Sequence, residues 1–274
     1  MRIGIFGRTF PGGEPEAVLD SVAAARFDSV HWNMASAGLP SMPDDVPEGL
    51  PERVASAARA RGLTVAGVSG TYNMIHPDPA ERQRGRRRLG VVIEAAREMG
   101  APLVTLCTGT RDPEDQWRGH PGNGEPEAWR ELLSELEQIV PLAEAAGLKL
   151  GVEPETANVV SGPEQAARLL EEIRSSSLAV VLDPANLFET MPGPDPRRDR
   201  VARAVDLLGP WIAMVHAKDR AAAGEVVAAG RGVIDFPHFA ECLRQVGFEG
   251  DVVTHGLEPG DASAVARHLR ACFG

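Results

Sequence analysis

Cysteine is scarce in this chain, and the little there is stands apart. Cys107, Cys242 and Cys272 are odd in number and widely separated. They supply neither a disulfide framework nor paired zinc-ligand spacing, a usage that fits a reducing, cytoplasmic setting. Also missing is any apolar run of the roughly 18–20 residues that a membrane span needs. The opening Met1-Arg2-Ile3-Gly4-Ile5-Phe6 has no long apolar stretch followed by a small-residue cleavage site, and it reads as a first strand. Positive charge is in deficit, with 28 Lys and Arg against 39 Asp and Glu and a formal net charge of −11. So acidic a surface repels nucleic acid and anionic lipid at long range. Nucleic-acid and membrane partners are thereby set aside, and the expected partner is a small molecule.

What is present is a regular alternation. The chain has 274 residues, 43% of them hydrophobic and 24% charged. That composition suits one large domain over residues 1–274, with no linker, repeat or low-complexity tract. Short runs rich in Val, Ile and Leu predict strands near 2–6, 28–32, 63–69, 102–107, 148–153, 178–183, 211–216 and 251–255. Several are apolar throughout, as parallel strands covered on both faces must be. Helical spacing follows the strands. Segment 126–146 carries Trp129, Leu132, Leu133, Leu136, Ile139, Val140 and Ala143 on one stripe, and segment 86–99 carries Leu89, Val92, Ile93, Ala96 and Met99. Gly62, Gly100, Gly147 and Gly247 stand where helices stop, and Pro51, Pro126 and Pro163 where they begin. Eight such units predict an α/β fold, a single parallel (β/α)8 barrel. Loops 109–125 and 191–196 are its long excursions.

A barrel of this kind builds its active site at the C-terminal ends of the strands. Polar clusters collect there. Glu153, Asp183, His216 and His255 end the last four strands, and two carboxylates with two imidazoles suit one divalent ion: Mn²⁺, Co²⁺, Zn²⁺ or Mg²⁺. Lys218 follows closely and can meet a substrate oxygen, protonate a leaving group or form a salt bridge. Candidate substrate contacts at the same end are Trp32, Tyr72, His76, Thr108, Arg111, Glu155, Asn186 and Asp219. For Trp32 the alternative is core packing, and for His76 a loop-bracing hydrogen bond. The arginines at 82, 84, 86, 87 and 88 read as a solvated helix face.

Four segments carry a resemblance: Gly151-Val152-Glu153-Pro154-Glu155, Val181-Leu182-Asp183-Pro184-Ala185-Asn186-Leu187, Val215-His216-Ala217-Lys218-Asp219 and Gly230-Arg231-Gly232-Val233-Ile234-Asp235-Phe236. With Gly247-Phe248-Glu249-Gly250 before the last strand, the chain resembles the sugar phosphate isomerase/epimerase family. These are the xylose isomerase-like TIM barrels, which also include endonuclease IV, inosose dehydratase and ketose 3-epimerases. The resemblance implies a metal held by Glu, Asp, His and Glu. Glu153, Asp183 and His216 match, whereas the last glutamate falls at His255, with Glu258 three residues on. It also implies a carbonyl substrate deprotonated to an enediolate, with Glu153, His255 and Lys218 in catalytic roles. Epimerases of the family use a carboxylate on each face of the carbon. A histidine in place of one favours isomerisation of a small sugar or ketose. The alternatives are lyase or dehydratase action on a keto-inositol or 3-keto-glycoside, and a non-catalytic sugar-binding barrel. An endonuclease-like role would need three metals, and seven histidines with a charge of −11 do not provide for it. Family likeness suggests a homo-dimer or tetramer.

Overall fold

The computed structural model describes residues 1–188 and 190–274. Among them, eight parallel strands close into a barrel: β1 (Arg2–Phe6), β2 (Ser29–Trp32), β3 (Thr64–Ser69), β4 (Leu103–Leu106), β5 (Lys149–Val152), β6 (Leu178–Leu182), β7 (Ile212–His216) and β10 (Asp251–Thr254). β10 pairs with β7 and β1, which seals the cylinder. Two short strands, β8 (Asp219–Arg220) and β9 (Val226–Val227), form an antiparallel hairpin in the connection after β7. The helices are α1 (Pro15–Ala24), α2 (Leu50–Ala60), α3 (Pro79–Glu98), α4 (Pro126–Ala146), α5 (Pro163–Ile173), α6 (Pro194–Leu208), α7 (Phe236–Gln245) and α8 (Ala262–Phe273). None of them is long and apolar enough to cross a membrane.

The local signals work as their chemistry requires. Gly62, Gly100, Gly147 and Gly247 all sit at φ between +69° and +72°, the left-handed turn that ends a helix. Two boundaries differ from the sequence reading. α3 starts at Pro79, seven residues before 86, because Asp78 caps it by accepting from the Ala80 amide at 2.8 Å. The 191–196 excursion is cut short because α6 begins inside it at Pro194. The arginine-rich start of α3 is a face of ion pairs. Arg82 and Arg86 reach the buried Glu135 of α4, Arg84 pairs with Glu81, and Arg88 with Asp44.

Side chains alternate between two apolar layers. Ala66, Leu103, Val181, Met214 and Val253 form a small cluster of their own inside the cylinder. Glycines make room for them. A Cβ on Gly151 would stand 2.7 Å from Val181 and 3.0 Å from Leu103, and one on Gly67 would stand 3.2 Å from Met214. The larger core lies between strands and helices. Trp32 belongs to that outer core and is fully buried. It is therefore no stacking wall for a sugar; its neighbour His31 is the residue that turns inward. His31 contacts Thr105 of β4 at 3.2 Å and lies 5.7 Å, ring to ring, from His216 of β7, contacts made only across the interior. Trp32→Ala should cost about 3–5 kcal/mol of stability as a core truncation. Denaturant unfolding should show that loss while metal affinity of the folded protein stays unchanged; a loss of metal affinity instead would place Trp32 in the mouth.

Candidate metal centre

Each of the four expected ligands stands at or just past a strand end. Glu153 follows β5, its amide bonded to Leu106 O at 3.1 Å. Asp183 follows β6 and caps the turn 184–187, with Oδ1 accepting from the Ala185 amide at 2.9 Å. That contact leaves Oδ2 facing the interior. His216 ends β7, and His255 follows β10. One ligand atom from each residue falls within 4.8 Å of the other three.

The donor atoms lack partners. Asp183 Oδ2, both ring nitrogens of His216 and His255 Nε2 are buried without a hydrogen bond. His216 Nδ1 lies 3.0 Å from Glu153 Oε2, yet it does not meet the geometry of a hydrogen bond. Unpartnered buried polar atoms are costly and rare. Unpartnered atoms on three of the four residues, set within reach of one another and of Glu153, are what a cation would satisfy, so the residues present fit a divalent ion with N and O ligands.

Charge leads to the same conclusion. Glu153, Glu155 and Asp183 are three carboxylates around one ammonium. Lys218 Nζ sits 3.4 Å from Glu153 Oε1 and 3.3 Å from Asp183 Oδ2. Asn186 Nδ2 donates to Glu153 Oε1 at 2.7 Å and lies 3.5 Å from Glu155 Oε1, bridging the two glutamates. Burial alone would raise the Glu153 carboxyl, but His216 and Lys218 beside it hold it well below the carboxylate range. Burial raises Asp183 against the pull of Lys218. Burial and then the charge of Glu153 push Glu155 up to about 7. Burial would lower Lys218, yet Asp183 and Glu153 drive it upward and keep it charged. His255 is held well below its usual value by burial and by Lys218, and is neutral at pH 7. A neutral imidazole is the form that binds metal.

Not every predicted contact reaches this centre. Glu155, Asn186 and Lys218 join it. Asp219 does not: its carboxylate is fully buried and accepts from the amides of Arg220, Gly230, Gly232 and Ile234 at 2.8–3.0 Å. Tyr72 is buried with its hydroxyl on Glu135, behind β3. Thr108 is buried and accepts from the Val160 amide. Arg111 is bound to Glu131 at 2.7 Å. His76 braces its loop between Pro113 O and the Asp78 amide. Two residues at the centre were absent from the predicted set. His31 packs under His216, and Phe6 packs 5.1 Å from His31 and 6.2 Å from His255. Burial, then His216, lowers His31 to about 3, so it is neutral. No sequence signal finds it, because β2 is buried on both faces and its apolar run does not show which side chains point inward.

The fourth position is open to test. His255→Ala should weaken binding of Mn²⁺ or Zn²⁺ by at least about 10-fold, since loss of a direct ligand should exceed the effect of losing an outer partner. Calorimetric titration reads this directly, and an unchanged affinity would move the fourth position to Glu258 or water.

Known proteins bear on the fold and the family. No curated protein matches the sequence. Among solved structures, the apo 3-keto-D-glucoside 4-epimerase YcjR from E. coli superposes with a TM-score of 0.79 at 19% identity, covering 99% of this chain and 100% of that one. The D-psicose 3-epimerase with D-tagatose from Clostridium cellulolyticum H10 gives 0.77 at 15% identity, covering 100% and 99%. An L-ribulose 3-epimerase gives 0.76 at 22% identity, covering 98% and 92%. At these identities the likeness establishes a shared fold. The sequence match is of a different kind, because it spans nearly the whole barrel, the four strand ends included. Residues 19–272 match the family model described as xylose isomerase-like TIM barrel, and the chain belongs to that family.

Proposed function

We propose that this protein is a divalent-metal-dependent isomerase of a small sugar or ketose. One observation carries the reading: four ligand atoms from four consecutive barrel strands lie within 4.8 Å of one another, and buried atoms among them are unpartnered. Glu153, Asp183, His216 and His255 would hold the ion. When bound, it supplies Lewis acidity that makes a hydrogen next to a carbonyl removable.

The chain's own groups divide the remaining work. Glu153 and Glu155 share the Asn186 amide, so one carboxylate can serve the ion while the other takes the α-proton. Lys218 keeps an ammonium beside both acidic ligands, where negative charge on substrate oxygen would develop. His31 and Phe6 close the floor of the mouth and keep water from beneath the site. A single carboxylate pair on one side favours one-faced proton transfer, as in aldose–ketose isomerisation. The position of Lys218 also supports a second reading, a lyase on a keto-sugar, in which the ammonium protonates the departing oxygen. The three similar structures carry the names of sugar epimerases, which supports a carbohydrate substrate.

Two outcomes are expected. Asp183→Ala should lose both bound metal and activity while remaining folded, because it removes an anionic ligand and no core volume. Metal analysis with α-hydrogen exchange in D₂O checks this, and a fully active variant would show the metal to be incidental. The second outcome concerns protons. The Glu155 carboxyl, pushed up to about 7, is partly protonated near neutrality in the metal-free protein. An incoming cation favours the ionised form, so metal loading should release a proton there, and apparent affinity should rise with pH through that range. Calorimetry in buffers of different ionisation enthalpy measures the release, and Glu155→Gln should abolish it; equal heats in all buffers would contradict the linkage.

A further inference from the structure

One of the four metal donors, His255, lines a pocket of about 600 Å³ beside the centre. It lies between the loop after β1 and the connection after β7. Pockets of this size enclose drug-sized ligands, which leaves space beyond one six-carbon sugar. The wall from the β7 side is built rigidly. Asp219 fixes it through four amides, and Arg220 ties it to Ala185 O and Gly224 O at 2.7 Å each. Gly232 has to be glycine there, since a Cβ would stand 2.2 Å from Arg220 O and 2.3 Å from Asp219 Oδ1. A buried carboxylate and a tight glycine thus hold a wall of the pocket that His255 also lines.

The lining has a mixed character. Phe6, Val227 and Leu257 are apolar, while Arg8, Arg231 and Glu258 are charged. Arg231 is neutralised by Asp261 at 2.5 Å. The Arg8 guanidinium has one side-chain partner among the described residues, the Ser41 hydroxyl at 3.4 Å. Glu258 has no side-chain hydrogen bond or ion pair among those residues. One free donor group and one free acceptor group therefore face a neutral pocket with apolar panels. A phosphate or carboxylate would meet Glu258. Sugar hydroxyls both donate and accept, and sugar C–H faces suit the apolar panels.

We propose that this pocket is a subsite for a second, uncharged sugar ring. The substrate is then a ketose or keto-sugar that carries a glycosyl group. The proposal rests on the metal centre being the reaction site. Phe6 marks the junction, since its ring touches both the pocket and His255. The reacting carbonyl belongs at the donors, and the glycosyl group points toward Arg8 and Glu258.

Calorimetric titration of the full chain loaded with Mg²⁺ tests this with three probes: D-fructose, lactulose (a galactosyl-substituted fructose) and fructose 6-phosphate. Lactulose should bind at least about 10-fold more tightly than fructose, a difference that a few added hydrogen bonds supply. Arg8→Ala and Glu258→Gln should each bring the ratio of the two affinities toward one. Equal affinities, or no lactulose binding, would overturn the proposal. Tighter binding of fructose 6-phosphate would overturn it too, by making the pocket an anion site. Exchange of the α-hydrogen of lactulose in D₂O is followed separately by NMR. Absent exchange with the lactulose preference intact sinks the isomerase reading and leaves the subsite standing.

Discussion

Three carboxylates share one ammonium at the mouth of this barrel, and the rest of the site follows from that imbalance. Glu153, Glu155 and Asp183 surround Lys218, and His31 and His255 nearby are held neutral. If all three acids ionise, their charge exceeds that of the one lysine among them. A buried excess of charge is costly unless something pairs with it. The protein relieves part of it by raising Glu155 and Asp183. A divalent cation would relieve the remainder, and the unpartnered atoms of Asp183, His216 and His255 are placed to receive one. Strand register serves this arrangement, since a slip of one residue would turn every ligand away from the interior and into the helix layer.

Much of the barrel was legible because its local rules agree. Every strand is an apolar run ended by polar residues, and each predicted strand lies within one or two residues of the observed one. Helix-stopping glycines adopt the left-handed turn that their position required. The clustering of Glu153, Asp183, His216 and His255 was legible for the same reason, because the mouth rule brings strand ends together. Parity was harder to read. A parallel strand is covered on both faces, so an apolar run such as Val30-His31-Trp32 does not show which side faces in. That is why Trp32 stood as either a mouth contact or core packing, and His31 was not singled out.

A second limit concerns what a polar residue at a strand end is for. Lys218 and Asp219 are adjacent, and both follow a ligand histidine. One points into the charge cluster and the other saturates itself on four backbone amides. Thr108 and Arg111 likewise serve the backbone and α4. Loops at a barrel mouth carry many backbone groups with no ladder partner, and these groups capture nearby side chains. Sequence position puts a residue in the right place without saying which demand it meets there.

The histidine at the fourth position changes the chemistry as well as the charge. A carboxylate at that place would add a third negative ligand to Glu153 and Asp183, and with Glu155 it would put four acids around one lysine. His255 removes that charge while keeping a lone pair for the ion. It also removes a base from that side of the site, because an imidazole whose lone pair is on a metal cannot accept a proton. The carboxylates left to move protons are Glu153 and Glu155, joined on the same side by Asn186. Under the proposed function, proton removal and return would then take place on one face of the carbon. A proton delivered back to the face it left restores the same configuration at that carbon, so net change requires delivery to the neighbouring carbon or loss of a leaving group. Under the proposed function, a histidine at residue 255 thus favours the one-faced chemistries, isomerisation and elimination.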